Sequence, residues 1–240
     1  MIPIRDTIPS RNEPIVTWAL IAVNALVFVY EVSLGPEQLE RFVYDFGVVP
    51  ARDWAGVSSS PAPGLPFLTS MFLHGGWGHL IGNMWMLWIF GDNVEDRMGP
   101  GRFLLFYLLT GVAASVAHCA LNSGSTLPTV GASGAISGVL GAYFALFPYA
   151  RVITVLPVFF WPYFFDVPAV TYLFIWFVSQ LLSGTLAGLG PSALGGVAWW
   201  AHVGGFAVGA LAHPVFLLPR RRRPREFHPD EYAVERAWAG

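Results

Sequence analysis

Charge, lysine and cysteine are scarce in this sequence. Charged residues make up 12% of the 240 residues, and all thirteen basic residues are arginine. Hydrophobic residues make up 55%, and the mean hydropathy is +0.55. A composition this apolar excludes an ordinary soluble domain and predicts a membrane protein with several spans. The single Cys119 excludes an internal disulfide and a cysteine metal cluster. The net charge of −2 gives no indication of a nucleic-acid partner.

Three stretches of the chain contain no charged residue, and their lengths set the number of membrane spans. They cover residues 54–91, 103–150 and 167–219. A spanning helix needs about 20 apolar residues, so the last two stretches hold two spans each. With an earlier apolar segment, the predicted spans lie at about 15–32, 77–90, 103–121, 133–149, 168–187 and 197–218.

These spans predict an all-α membrane protein, a bundle of six transmembrane helices over residues 14–218. Residues 1–13 are predicted as a polar N-terminal lead, and residues 219–240 as a basic and then acidic tail. The first span lacks a small-residue cleavage site, so we expect it to be retained. Two aromatic-rich connections, 34–67 and 152–166, are predicted to rest partly on the membrane interface, the second as an irregular segment.

The arginines indicate how the bundle is oriented. With six spans, only Arg41 and Arg52 lie on the side of the 34–67 loop, and the other arginines lie on the side of both termini. Because short cytoplasmic loops are enriched in arginine, we expect both termini to be cytoplasmic. The compact six-span form favours a bacterial inner membrane. Ser133, at the start of the fourth span, then lies near the outer face.

A segment of small residues, Gly131 to Gly138, opens the predicted fourth span. Gly131 allows a sharp bend before the helix, and Gly134 lets a neighbouring helix come close. Ser133 lies at the helix start, where free N–H groups favour a negative oxygen. This is a suitable place for a serine nucleophile. The same small-residue spacing is also typical of a seam where two helices pack.

Polar side chains recur in the other spans at a similar depth. His79 and Asn83 are four residues apart and therefore share a face of the second span, with His74 just before it. His202 lies within the first two turns of the sixth span, beside a predicted packing seam at Gly205 and Gly209. Polar groups in hydrocarbon are costly and usually face the bundle interior. We therefore expect these side chains to meet Ser133 near the outer face.

Together these residues suit a serine hydrolase. Ser133 is the candidate nucleophile and His202 the candidate base. His79, Asn83 and the backbone N–H of Ser133 are candidate donors to an oxyanion. Each Asn or His has the alternative role of an interhelical hydrogen bond, worth about 0.6 kcal/mol on average.

For two further histidines, His118 and His213, we predict a structural role and no part in catalysis. His118 shows no polar partner at helical spacing, and His213 lies near the cytoplasmic end of its span.

Two other classes of function use the same polar residues. His74, His79 and His202 are possible metal ligands, but the sequence has no His-Glu-x-x-His pair and no intramembrane carboxylate to complete a hydrolytic zinc site. A transporter is the other class. It is disfavoured because no acidic residue lies in the core of spans two to six and no inverted repeat is visible.

The assembled motifs resemble those of the rhomboid family of intramembrane serine proteases. The matching segments are His74-Gly-Gly-Trp-Gly-His79-Leu-Ile-Gly-Asn83, Gly131-Ala-Ser133-Gly134, Ala201-His202-Val-Gly-Gly205 and the turn Glu95-Asp-Arg97-Met-Gly99.

This resemblance implies a Ser133/His202 dyad and an oxyanion site formed by His79, Asn83 and the Ser133 amide. It implies single-span membrane proteins as substrates, cut near the outer end of their helix, with neither metal nor cofactor. One departure is Ser137, because some members carry a tyrosine there that stacks on the histidine. Relatives that lack the dyad bind membrane-protein clients without cutting them, which is the alternative function.

Overall fold

Helices form most of the structure, a computed structural model that describes residues 2–54, 63–158, 161–189 and 198–219. In chain order the elements are β1 (Ile2–Asp6), α1 (Ile15–Ser33), α2 (Pro36–Phe46), α3 (Pro50–Asp53), α4 (Pro66–Thr69), α5 (Trp77–Met98), α6 (Pro100–Leu121), α7 (Ser133–Leu146), β2 (Arg151–Val158), β3 (Trp161–Pro168), α8 (Ala169–Leu189) and α9 (Trp199–Phe216). One turn of 3₁₀ helix, Ser70–Phe72, follows α4. The predicted tail lies outside the described residues, apart from its first residue.

Each predicted span coincides with one of the six longest helices among these residues. The largest difference is in α5, which continues to Met98 instead of ending near Phe90. The polar residues that indicated a turn after Phe90 are instead accommodated inside the helix. Asn93 and Glu95 are both buried, and they bond to β1 and to α1 respectively.

Among the described residues, three helices are long and apolar enough to cross a membrane. They are α1, α6 and the part of α8 from Ala169 to Ala187. Large apolar side chains on them face outward, for example Leu26, Leu105 and Leu186. Exposed apolar surface of this extent indicates contact with lipid. The chain is therefore an integral membrane protein.

The prediction of an all-α fold is wrong in one region, where three strands form an antiparallel sheet in the order β1-β2-β3. The predicted irregular connection over residues 152–166 is instead a hairpin, with Arg151 opposite Pro168 and Val158 opposite Trp161. The predicted polar lead contributes β1. The missed signal is the alternating β-branched run of β2, in which Val152 and Thr154 are buried.

The Asp6 end of this sheet lies at the end of the bundle opposite Ser133, and Pro3 accepts a hydrogen bond from Trp85 farther along α5. The Asp6 carboxylate at the end of β1 accepts a hydrogen bond from the hydroxyl of Tyr143, which lies near the last turn of α7. It also accepts one from Asn93 Nδ2 at 2.9 Å. Burial raises the pKa of the Asp6 carboxyl to about 6. β1 therefore attaches the N-terminal segment to both α5 and α7.

The connection after α1 is folded around a buried arginine. Arg52 forms an ion pair with Asp53 at 2.8 Å and donates to the carbonyl oxygens of Tyr44 and Gly47. This satisfies a guanidinium that would otherwise be costly to bury. That the connection rests on the membrane interface stays a prediction, and its residues 55–62 lie outside the described residues.

The same connection holds the backbone that leads into α7. Val48 and Thr129 exchange two backbone hydrogen bonds, of 3.0 and 2.7 Å. The N–H of Gly131 donates to the carbonyl of Ser70 at 2.8 Å. Two separate elements therefore fix the chain just before Ser133.

Helices α7 and α9 pack in parallel through glycines, which confirms the seam predicted at Gly205 and Gly209. A Cβ atom on Gly205 would lie 2.2 Å from the carbonyl oxygen of Gly134, and one on Gly209 would lie 2.0 Å from that of Gly138. Both distances are shorter than real Cβ contacts. The backbones of the two helices therefore touch, and this places the first turn of α9 beside the first turn of α7.

We expect Glu95→Ala to lower the free energy of unfolding by about 1.5–3 kcal/mol, the usual value for hydrogen bonds to a charged group. Glu95 accepts bonds from the N–H of Val16 at 2.9 Å, and from the N–H and hydroxyl of Thr17 at 2.8 Å each. The first residues of α1 have no side-chain cap of their own. Equilibrium unfolding in detergent micelles measures the effect. Asp96→Ala, which removes only exposed bonds to Asn12, is the matched control. Equal losses in the two variants would contradict the capping role.

Candidate active site

Ser133 is the first residue of α7, as the glycine pattern predicted. The backbone bends before it at Gly131, whose φ of +129° favours glycine. The N–H groups of the first turn have no partner within the helix, so they are directed toward the space outside its N-terminus. Ser137, one turn later, donates its hydroxyl to the carbonyl of Ser133 at 2.6 Å. The start of α7 therefore presents a serine hydroxyl together with free N–H donors.

His202 lies next to this serine. Its Nε2 is 2.8 Å from Ser133 Oγ, a hydrogen-bond distance. Its Nδ1 is 2.7 Å from the side-chain oxygen of Gln180, which belongs to α8. The His202 side chain is only 9% exposed. Both ring nitrogens are thus engaged, each by a different helix.

Two tryptophans line the His202 ring. The Trp176 ring centre lies 6.0 Å away at an interplanar angle of 34°, and the Trp199 ring centre lies 6.2 Å away, nearly perpendicular. Ser137 leaves no aromatic ring on α7 to stack on the histidine, so α8 supplies the aromatic neighbour instead.

His79 and Asn83 approach the start of α7 at Gly131. A Cβ atom on Gly131 would lie 2.6 Å from Cε1 and 2.7 Å from Nε2 of His79, and 3.7 Å from Nδ2 of Asn83. The absence of a side chain at Gly131 therefore lets the imidazole lie against the backbone two residues before Ser133. The structure brings all four predicted side chains, Ser133, His202, His79 and Asn83, to the same end of the bundle.

Asn83 has a further neighbour whose role the sequence did not reveal. Its Nδ2 is 3.1 Å from His74 Nε2, and the two rings of His74 and His79 are 5.1 Å apart. The N–H of His74 in turn donates to the buried carboxylate of Glu31, at 3.1 and 3.3 Å to its two oxygens. Glu31 lies in the last turn of α1, two residues before the helix ends at Ser33. A carboxylate inside an otherwise uncharged apolar helix was the available signal.

A small cavity lies beside Ser133 and has room for about one water molecule. Its lining includes Ser70, Ser115, Gly131 and Ala201. Hydroxyl groups and backbone from three helices therefore give a water molecule polar partners next to the serine.

The two remaining histidines of the described residues each bond to groups near them in the chain. His118 Nε2 is 3.1 Å from Thr129 Oγ1, and Asn122 donates to the His118 carbonyl at 2.9 Å. The expectation that His118 has no polar partner at helical spacing is therefore wrong, because Asn122 lies four residues later and bonds to it. His213 Nδ1 donates to the carbonyl of Ala210 at 2.8 Å. Within the described ranges, no three His, Cys, Asp or Glu side chains are grouped closely enough to hold a metal ion.

A known domain family matches most of the chain, including the candidate site. The Rhomboid domain profile matches residues 64–219. This range includes Ser133, His202, His79 and Asn83.

Named relatives have related sequences over part of their length. The chain is 40% identical over 136 residues to "Rhomboid protease GluP" of Bacillus subtilis (strain 168), which covers 55% of this chain and 25% of the relative. It is 33% identical over 147 residues to the mitochondrial "Presenilin-associated rhomboid-like protein" of Mus musculus, which covers 58% and 35%. It is 33% identical over 93 residues to "Rhomboid protein 1, mitochondrial" of Saccharomyces cerevisiae, which covers 37% and 27%. The matches thus span a quarter to about a third of these relatives.

Proposed function

This chain belongs to the rhomboid family, and on that basis we propose that it is an intramembrane serine endopeptidase. The profile match over residues 64–219 confirms the family resemblance seen in the motifs. The single observation that carries the proposal is the 2.8 Å hydrogen bond between Ser133 Oγ and His202 Nε2. A nucleophile and a base within this distance are the minimum for acyl transfer by a serine. One relative, moreover, is named a rhomboid protease.

The reaction divides into two steps of acyl transfer. In the first, His202 Nε2 takes the proton of Ser133 as its Oγ attacks the carbonyl carbon of the substrate peptide bond. The tetrahedral intermediate collapses, the C–N bond breaks, and His202 donates the proton to the leaving amine. In the second, a water molecule transfers a proton to His202 and attacks the acyl carbon. The second tetrahedral intermediate collapses, the bond between the acyl carbon and Ser133 Oγ breaks, and His202 returns the proton to Ser133. The cavity beside Ser133 is the place from which this water approaches.

The oxyanion of each tetrahedral intermediate needs donors that are already in place. The Ser133 N–H at the start of α7 supplies one, and His79 and Asn83 supply the others across Gly131. Asn83 Nδ2 carries two hydrogens, so one bonds His74 while the second is free for the oxyanion. His74 thereby orients the Asn83 amide.

We expect Asn83→Ala to lower kcat by about 10²- to 10³-fold, the usual cost of one oxyanion donor. The KM should change little, because the bond to the oxygen strengthens only as charge develops. Steady-state cleavage of a single-span substrate in proteoliposomes measures both. Asn93→Ala is the matched control, since Asn93 is a buried amide at the other end of α5. A kcat equal to that of the unmodified protein would remove Asn83 from the oxyanion site.

The proposal extends to substrate and placement. The substrates are single-span membrane proteins, cut near the end of their helix that lies at the level of Ser133. All six long helices span the bilayer within a domain over residues 14–218, and both termini are cytoplasmic, in a bacterial inner membrane. Support comes from the arginine distribution, and from Ser133 lying at the end of the bundle opposite Asp6 of β1.

A fluorophosphonate probe tests the proposed function directly. The probe forms a covalent bond with an activated serine, so the purified protein should be labelled and the adduct should map to Ser133 by mass spectrometry. Ser133→Ala should not be labelled. A folded protein that binds a membrane-protein client but is neither labelled nor able to cleave it would overturn the proposal in favour of a non-catalytic binder.

A further inference from the structure

His202 is held on the side away from Ser133 by an amide from α8. Gln180 Oε1 lies 2.7 Å from His202 Nδ1, and both side chains are buried, with 8% and 9% exposure. The Gln180 Nε2 donates to Ser179 Oγ at 3.1 Å. The Ser179 hydroxyl donates its own hydrogen to the carbonyl of Trp176 at 2.6 Å, so its oxygen can only accept from Gln180. The Gln180 nitrogen therefore faces Ser179 and its oxygen faces the imidazole.

The chemistry of the amide oxygen decides the tautomer of the ring. A carbonyl oxygen only accepts hydrogen bonds, so Nδ1 must carry the hydrogen in the neutral imidazole. Nε2 is then left as the acceptor and receives the hydroxyl hydrogen of Ser133. In this tautomer the histidine can accept the serine proton and so serve as a base. In activated serine nucleophiles a third group generally orients the histidine base.

We propose that Gln180 is a positioning residue that holds His202 in the base-competent tautomer. The inference rests on the proposed function, because it assigns a role within the same reaction. When His202 takes the serine proton, the Nδ1–H bond to Gln180 becomes charge-assisted and stabilises the imidazolium. In a serine triad a carboxylate performs this task. Here a neutral amide does so, from a helix that has no charged residue.

Helix α8 contacts His202 through two side chains, so the position of this helix also affects the orientation of the base. Trp176 and Gln180 are four residues apart, so they lie on one face of α8, and both contact His202. The orientation of the base therefore depends on α8 remaining packed against α9. In the sequence the signal was a single side-chain amide, Gln180, within an otherwise apolar and hydroxyl-bearing helix.

The tautomer is measured on the unmodified protein. Labelling with [¹⁵N]histidine gives separate ¹⁵N chemical shifts for protonated and unprotonated ring nitrogens, and the His202 signals are assigned by their loss in His202→Asn. We expect a protonated Nδ1 and an unprotonated Nε2 at pH 8. A protonated Nε2 in the folded, probe-reactive protein would overturn the inference without any substitution at Gln180.

Two variants then test the kinetic effect. We expect Gln180→Leu, which removes the acceptor but keeps an apolar volume, to lower kcat by about 10- to 100-fold with little change in KM. That is less than the loss of about 10⁴-fold when the orienting carboxylate of a serine triad is made an amide. Gln180→Glu keeps an acceptor at the same atom and should restore most of the lost kcat and the Nδ1–H signal. Thr185→Val is the matched control on α8, since its exposed hydroxyl bonds only its own helix.

The outcomes separate this inference from the proposed function. If the unmodified protein is probe-reactive and Gln180→Leu keeps both its kcat and the Nδ1–H signal, the positioning role is wrong and the protease assignment stands. If the unmodified protein does not react at Ser133, the proposed function itself fails. A kcat loss in Gln180→Leu that Gln180→Glu does not restore, with the Nδ1–H tautomer unchanged in both, would show a packing role only.

Discussion

Replacing Ser133 or His202 by alanine should lower the cleavage rate of a single-span substrate by about 10⁴- to 10⁶-fold, which is the range for loss of a nucleophile or base in serine hydrolases. The reason lies in the 2.8 Å bond between the two side chains. The acyl intermediate forms only when both are present, because a neutral serine hydroxyl is a weak nucleophile until His202 takes its proton.

Because the two residues act as one unit, their effects should not add. The double variant Ser133→Ala/His202→Ala should be no slower than either single variant, whereas independent contributions would multiply. Cleavage in proteoliposomes measures the rates, and fluorophosphonate labelling should fall in parallel.

His213→Ala is the control for this prediction, since His213 belongs to the same helix and bonds only the Ala210 carbonyl. Both dyad variants should remain folded, and Ser133→Ala, which removes only a hydroxyl group, should unfold at the same temperature as the unmodified protein. Cleavage by either single variant at the unmodified rate would refute the dyad.

The sequence was sufficient to predict the helices and the candidate site because both leave strong local signals. Charge-free runs mark helices wherever lipid is the solvent, and a histidine or amide within such a run is conspicuous. His202, His79 and Asn83 were found in this way, and Ser133 from the glycines around it; the structure brings all four to one end of the bundle.

What the sequence did not reveal depends on contacts between distant segments. β1 lies in a lead of only thirteen residues and gains its structure by pairing with β2, nearly 150 residues later. The hairpin was hidden by prolines and aromatic residues, which are also typical of interfacial loops. Glu31 is the one carboxylate of α1 and Gln180 the one side-chain amide of α8, and their partners, His74 and His202, are set only by helix packing. Composition cannot supply such a pairing, because it depends on the rotation of each helix.

Adding a single methyl group at the seam between α7 and α9 should also have a large effect on the protein. We expect Gly209→Ala to lower both stability and activity. Its Cβ atom would lie 2.0 Å from the carbonyl oxygen of Gly138 and 2.6 Å from the Gly138 Cα, whereas an ordinary contact needs 3.4 Å or more. The obstacle is backbone, so no side-chain rotation relieves it and the helices must separate by roughly an ångström. Overpacking of this kind costs about 1–3 kcal/mol or more of unfolding free energy.

The same separation should act on the reaction, because the seam sets the distance between Ser133 and His202. A displacement of about 1 Å costs about 10²-fold in rate when reacting groups are misplaced. Gly209→Ala should therefore lose about 100-fold in kcat together with its stability, in contrast to Ser133→Ala, which loses activity alone. Gly101→Ala is the matched control, since Gly101 is a helical glycine with no atom within 4 Å of its Cβ position.

At Gly101 the methyl group should raise the free energy of unfolding by up to about 1 kcal/mol, through helix propensity, and leave kcat unchanged. Thermal unfolding and cleavage of the same proteoliposome preparations measure both variants side by side. If Gly209→Ala matches Gly101→Ala in both measurements, then backbone contact along the seam is not what holds the serine and the histidine together.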